Sequence, residues 1–114
     1  MTESQLQQQC VQWLQVQHKD LLFYAVPNEG KRSYALANHM KTMGLRSGIP
    51  DIVICKANHG FHGLYIELKV GKNKLTKNQS EVLTKLKEEG YLAIEVRDSF
   101  EEFQVVVNSY VRGD

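Results

Sequence analysis

Asp51, Glu67 and Lys69 are the residues of this chain whose types and spacing most readily do chemistry together. They lie in two mostly apolar runs, Gly48-Ile49-Pro50-Asp51-Ile52-Val53-Ile54 and Tyr65-Ile66-Glu67-Leu68-Lys69. Side chains alternate along a strand, so Glu67 and Lys69 share one face while Leu64, Ile66 and Leu68 share the other. If the runs form a hairpin, the apolar residues select its register. Pairing 52 with 66 and 54 with 64 gathers the isoleucines and leucines on one face, and it sets Asp51 opposite Glu67 with Cβ atoms about 4.5–5.5 Å apart. A slip by one residue would set Ile52 against Glu67 and cost apolar burial.

Two carboxylates that close repel unless a positive charge lies between them. A hard divalent cation, Mg²⁺ or Mn²⁺, suits an open site of oxygen ligands. Magnesium takes one or two protein carboxylates and keeps its other positions for water or phosphate oxygens. Lys69 points along the same face, where it can hold or deprotonate an attacking water or neutralise a phosphate. An isolated Glu-x-Lys is most often a surface ion pair worth little. Pro-Asp ahead of the first strand and the matched register favour the cation.

Two more residues are aimed at the same place. Glu3 continues the inward row Leu6, Cys10, Trp13 of a first helix, and either completes the site or is simply an acid favoured by the helix dipole. Gln79 extends the inward row of Val82, Leu83 and Leu86, and either orients Glu67, water or phosphate or serves only to cap its helix.

The elements that carry these residues are legible. Thr2 and Gln5 form a capping box that opens a helix fading near His18. Leu21 to Val26 reads as a strand closed by Pro27, residues 28–33 as a loop, and Tyr34 to Met43 as a short helix ending at Gly44. Asp51 to Cys55 and Gly63 to Val70 are the hairpin strands, joined by a turn at residues 56–62. After a basic loop from Gly71 to Leu75, Thr76 and Gln79 cap a long helix that stops at Gly90. Tyr91 to Val96 alternates as a fourth strand. Ser99 and Glu102 form a third box ahead of a helix with Phe103, Val106, Val107 and Tyr110 on one side. The order α-β-α-β-β-α-β-α, without repeats or a linker, predicts one α/β domain over residues 1–114.

Composition narrows the class. The chain has 114 residues, 42% hydrophobic and 24% charged, with eight glycines and two prolines, which describes a globular chain rather than a disordered one. Such a chain buries roughly two-thirds of its unfolded surface and needs no metal or disulfide to fold. A formal charge of +1 supports no conclusion about partners by itself, since purely electrostatic nucleic-acid binders are far more lopsided. The positive charge instead concentrates mid-chain at Lys31, Arg32, Lys41, Arg46, Lys72, Lys74 and Lys77. No apolar run approaches the roughly 18 residues of a membrane helix, and the N-terminal residues lack the basic and apolar regions of a secretory signal. Cys10 and Cys55 are too few for a disulfide scaffold and are expected to be small buried hydrophobes in a reducing, cytoplasmic setting.

Gly48-Ile49-Pro50-Asp51, then Ile66-Glu67-Leu68-Lys69, then a basic loop leading to Gln79, resembles the VRR-NUC branch of the PD-(D/E)XK nuclease superfamily. The small stand-alone phage and bacterial members look nearest. The likeness runs from Glu3 through Pro27-Asn28 and Met43-Gly44-Leu45-Arg46 to Gly90-Tyr91. It implies a restriction-endonuclease-like domain, a central mixed sheet of about four strands flanked by helices, in the cytoplasm of a bacterial or phage-infected cell. It further implies a Mg²⁺- or Mn²⁺-dependent endonuclease that hydrolyses phosphodiester bonds in structured DNA, with homodimers acting on four-way (Holliday) junctions. By that resemblance Asp51, Glu67 and the Leu68 backbone carbonyl bind metal, Lys69 assists the attacking water, and Gln79 and Glu3 complete the site. By the same resemblance Asn28 in the strand-exit loop contacts DNA, although Glu29-Gly30 after Pro27-Asn28 departs from the small residue or glycine expected there, and an ordinary turn residue after proline is the alternative for Asn28.

Lys31, Arg32, Arg46, Lys72, Lys74 and Lys77 can surround the metal face and touch phosphates, which position DNA without reading sequence. No helix is studded with Arg, Asn and Gln for base readout, so shape recognition is the better fit. One small domain cannot embrace a branched substrate, whereas a twofold pair can. Three rivals stay open: a non-cleaving nucleic-acid-binding module on the same fold, a restriction-type duplex nuclease, and a metal-independent RNA nuclease that would need His39. His59-x-x-His62 is too thin for zinc. Ser33 and Ser47 have no triad context, and Gly44 to Gly48 lacks the spacing of a phosphate-binding loop.

Overall fold

The computed structural model describes residues 1–26 and 34–112, with the backbone alone of residue 34. Along the chain run α1 (Glu3–Gln17), β1 (Phe23–Ala25), α2 (Tyr34–Thr42), β2 (Ile52–Ile54), β3 (Leu64–Lys69), α3 (Lys77–Glu88), β4 (Leu92–Arg97) and α4 (Phe100–Val111). The strands form one sheet in the order β1-β2-β3-β4. The β1–β2 and β2–β3 pairs are antiparallel; β4 is parallel to β3, reached by a crossover through α3.

Alternation divides the sheet into two unlike faces. Ile52 and Ile54, Leu64, Ile66 and Leu68, and Val96 meet Leu6, Cys10 and Leu14 of α1 and Phe103, Val107 and Tyr110 of α4 in the main core. Each fully buried aliphatic side chain there contributes roughly 1.5–3 kcal/mol. Trp13 is only partly buried and sets its ring edge-on to Phe100 and Phe103, at centroid distances of 6.3 and 6.0 Å. Leu14 occupies the fully buried place at the end of that stripe. On the opposite face α3 lays Val82 and Leu83 against the sheet, leaving Leu86 half-buried.

The expected element order and the two capping boxes at Thr2 and Thr76 form as read. Three details differ. β1 is shorter than the apolar run that contains it, and Leu22 is 68% exposed: its carbonyl accepts from the Cys55 N–H at 2.9 Å, but its side chain lies with that of Tyr24 on the face away from the main core. Ser99 accepts from the Glu102 N–H at 2.9 Å, but the exposed Glu102 side chain does not return the bond, so this third cap is single. Cys10 is buried, which pushes its thiol up to about 12 and leaves it inert, but Cys55 is exposed. Cys55 follows the last residue of β2 on the side away from the main core, and so escapes the cover given to Ile54.

Candidate active site

The observed register of the hairpin is Ile52 with Ile66, Val53 with Tyr65 and Ile54 with Leu64, as the apolar alternation requires. One step further, Asp51 faces Glu67. The backbone orientation makes this a close pair. The Lys69 carbonyl accepts from Asp98 N–H at 2.9 Å, so the odd-numbered residues of β3 turn their peptide groups to β4 and the even ones to β2. Asp51 and Glu67 are therefore a non-hydrogen-bonded antiparallel pair, the kind with Cα atoms only about 4.5 Å apart. Asp51 is held in place: its Oδ2 accepts from the Leu68 N–H at 2.7 Å.

Pro50 shapes the same corner. The next hydrogen-bonded pair along the ladder would join Leu68 to residue 50, and proline has no N–H to offer the Leu68 carbonyl. That carbonyl points to the same side of β3 as the N–H that Asp51 takes, with no donor among the described residues.

Glu67 is 2% exposed and Lys69 6% exposed. Glu67 Oε1 is fully buried and has no hydrogen-bond partner among the described residues. Burial pushes the Glu67 carboxyl well above its usual range; Asp51 raises it further, Lys69 opposes this, and Glu3 adds a smaller upward push. Burying charged groups without partners is costly. Among the described residues Glu67 and Lys69 form no ion pair, so the surface-pair alternative fails on both burial and geometry.

Glu3 starts α1 half-buried, within electrostatic reach of Glu67, and its Oε2 accepts from Asn73 Nδ2 at 2.8 Å. Gln79 performs its capping role: its Oε1 accepts from the Thr76 N–H at 2.9 Å. The first turn of α3 is docked on the segment that delivers Asp51. Asn78 Nδ2 donates to Ser47 Oγ at 2.8 Å, and Gly48, at φ +85°, lies so close that a Cβ would meet the Asn78 carbonyl at 2.9 Å. Only glycine fits that approach.

Among the described residues no three His, Cys, Asp or Glu side chains are grouped closely enough to hold a metal by themselves. What the corner offers is two facing carboxylates, one with a buried oxygen, and a backbone carbonyl, both of these oxygens without a donor among the described residues. That all-oxygen set fits a hard cation which keeps several waters. Arg46, Lys72, Lys74 and Lys77 are exposed on the segments bordering this corner. Asn28, Lys31 and Arg32 lie outside the described residues. His59 and His62 are both exposed and used separately, His59 Nε2 against the Ser109 carbonyl at 3.1 Å and the His62 ring against Tyr91.

Sequence reasoning missed a second charged pair. In the parallel register Glu67 lies beside Glu95 and Lys69 beside Arg97, on the same face. Glu95 and Arg97 form an ion pair, and Arg97 Nη1 also donates to the Gly71 carbonyl at 2.8 Å. A signal was present: Glu95-Val96-Arg97 repeats the spacing of Glu67-Leu68-Lys69.

No curated protein matches this chain. A solved structure titled "VRR_NUC domain protein" is similar to it over 99% of this chain and 90% of that one, with 27% identity and a TM-score of 0.77. The VRR-NUC domain family matches residues 1–99, a span that takes in Glu3, the Pro50–Lys69 hairpin, Gln79 and β4. The carboxylate corner thus stands on a nuclease-type fold of the PD-(D/E)XK class, and the chain belongs to the VRR-NUC family.

Proposed function

We propose that residues 1–114 are a divalent-metal-dependent endonuclease domain that hydrolyses phosphodiester bonds in branched DNA, acting on four-way junctions as a homodimer. The observation that carries this reading is Glu67: buried, opposite Asp51, with an oxygen that no donor among the described residues satisfies. Asp51, Glu67 and the Leu68 carbonyl would hold Mg²⁺ or Mn²⁺, with Glu3 as a further carboxylate. VRR-NUC nucleases are in general divalent-metal dependent. When bound, the cation supplies Lewis acidity at the phosphate.

The remaining work falls to the chain. Lys69, on the same face as Glu67, holds the attacking water as its oxygen bonds to phosphorus and the water's proton passes to solvent; the P–O bond to the leaving sugar oxygen breaks, and that oxygen is protonated from solvent. Gln79, fixed by its cap, stands at the helix start that borders the corner and orients water or phosphate. Arg46, Lys72, Lys74 and Lys77, with Asn28, Lys31 and Arg32, contact phosphates. Such contacts recognise backbone shape and carry no base readout. A twofold pair of domains places two such corners symmetrically on a junction.

The test is cleavage of a labelled four-way junction, a flap and a linear duplex with Mg²⁺, Mn²⁺ or EDTA, alongside the mass in solution by light scattering. Junction cleavage that requires metal, by a dimer, is the expected result. Binding without cleavage under all conditions would replace this reading with a non-cleaving module. Cutting of linear duplex at fixed sites would replace the junction substrate.

A further inference from the structure

The loop between β3 and α3, residues 70–76, carries Lys72 and Lys74 from the end of Lys69 to the cap of α3. Exposed loops usually leave their peptide groups to water. Here the two polar groups of Gly71 are taken by side chains from the end of β4. Asp98 Oδ1 accepts from the Gly71 N–H at 2.8 Å, and Arg97 Nη1 donates to the Gly71 carbonyl at 2.8 Å. The other arm of the Arg97 fork is held by Glu95. Asp98 adopts φ +55° to make this reach, a conformation that a non-glycine residue keeps only where its surroundings enforce it. Two residues beyond Gly71, Asn73 ties the middle of the loop to Glu3 at 2.8 Å.

Arg97 and Glu95 are 35% and 30% exposed, and a pair so open to solvent adds little to stability. Its consequence is placement. A lysine on a fixed backbone meets a phosphate with less entropy to lose than one on a free loop.

We infer that Arg97 and Asp98 are positioning residues that hold the loop at Gly71, so that Lys72 and Lys74 stand ready for DNA phosphates beside the Asp51–Glu67–Lys69 face. This rests on the nuclease reading above. Neither residue touches the reacting atoms; both act through the loop.

The experiment measures the affinity of the full chain for a fluorescent four-way junction, with Ca²⁺ replacing Mg²⁺ so that cleavage is not needed, across a salt series. Arg97→Gln and Asp98→Gly should each weaken binding by about tenfold and flatten the salt dependence by about one to two phosphate contacts, each contact contributing roughly 0.9 to the slope. Asp98→Gly removes the acceptor while suiting the positive φ. Asp98→Asn keeps both acceptor and backbone tolerance and should bind like the parent. In a Lys72→Ala/Lys74→Ala background, Arg97→Gln should change affinity by less than about twofold, because the lysines it places are gone. Melting curves check that each variant is folded. If Arg97→Gln and Asp98→Gly leave binding unchanged, or if the Arg97→Gln effect persists in full without the two lysines, the inference is overturned. Absence of any binding by the parent would instead overturn the nuclease reading beneath it.

Discussion

On one face of β3, Leu64, Ile66 and Leu68 lie fully buried beneath α1 and α4; on the other, Glu67 and Lys69 are nearly as deep with no ion pair between them. The same six-residue strand therefore buries its even residues at a gain and two of its odd residues at a cost. Apolar burial returns roughly 25 cal/mol per Å² removed from water, while a buried carboxylate without partners gives stability back. The contrast teaches that the main core holds the sheet and tolerates the second face, where the burial of two charged side chains is accounted for by the cation and substrate proposed above.

Substitutions on the two faces should accordingly fail in different ways. Asp51→Asn or Glu67→Gln should lower metal-dependent cleavage by at least about a thousandfold, several kcal/mol of transition-state stabilisation, without loss of thermal stability. Strong destabilisation with surviving activity would dissolve the distinction. Ile66→Ala, on the other face of the same strand, should cost about 2–5 kcal/mol in denaturant unfolding, with the rate per folded molecule nearly preserved. Lys69→Ala should slow single-turnover cleavage on the order of a hundredfold and weaken metal binding far less. Equal loss of both would contradict its role in holding the attacking water.

The titration of Glu67 sharpens the comparison further. Its carboxyl is raised in the folded chain above its ordinary value of 4.5. Between that value and the raised one the folded state holds a proton that the unfolded state has released. By linkage, the metal-free protein loses stability as pH rises through this window. Melting in EDTA should therefore occur at a lower temperature at pH 8 than at pH 5, and Glu67→Gln should reduce that difference. Added Mn²⁺ should restore stability at pH 8 in the parent and not in the variant. A pH response unchanged by Glu67→Gln would assign it to other groups. The smallest effect belongs to Thr76→Ala, about 1 kcal/mol from the lost cap, accompanied by slower cleavage if Gln79 is displaced with it.

Much of this was legible before folding because it is local. Thr2 with Gln5 and Thr76 with Gln79 are three residues apart, and a cap needs only its own turn of helix. The hairpin register was legible because alternation admits one pairing that buries Ile52, Ile54, Leu64 and Ile66 together. Cys55 was misjudged because its exposure depends on which face of the sheet α1 and α4 cover. The Glu95–Arg97 pair was missed because its place beside Glu67 and Lys69 depends on how the α3 crossover sets a parallel register, and parallel strands carry no turn that announces their pairing.

The sequence by itself determined which residues could share a face: a period of two along β2 and β3 puts Asp51 against Glu67, and a proline at 50 withholds a hydrogen from the Leu68 carbonyl. Tertiary structure alone decided that Glu67 and Lys69 would be sealed from solvent, that Glu3 and Asn73 would meet across 70 residues, and that β4 would brace the loop at Gly71. The division has one physical cause. Facing is a property of backbone geometry within a few residues, whereas desolvation and long-range hydrogen bonding exist only once separate elements have packed.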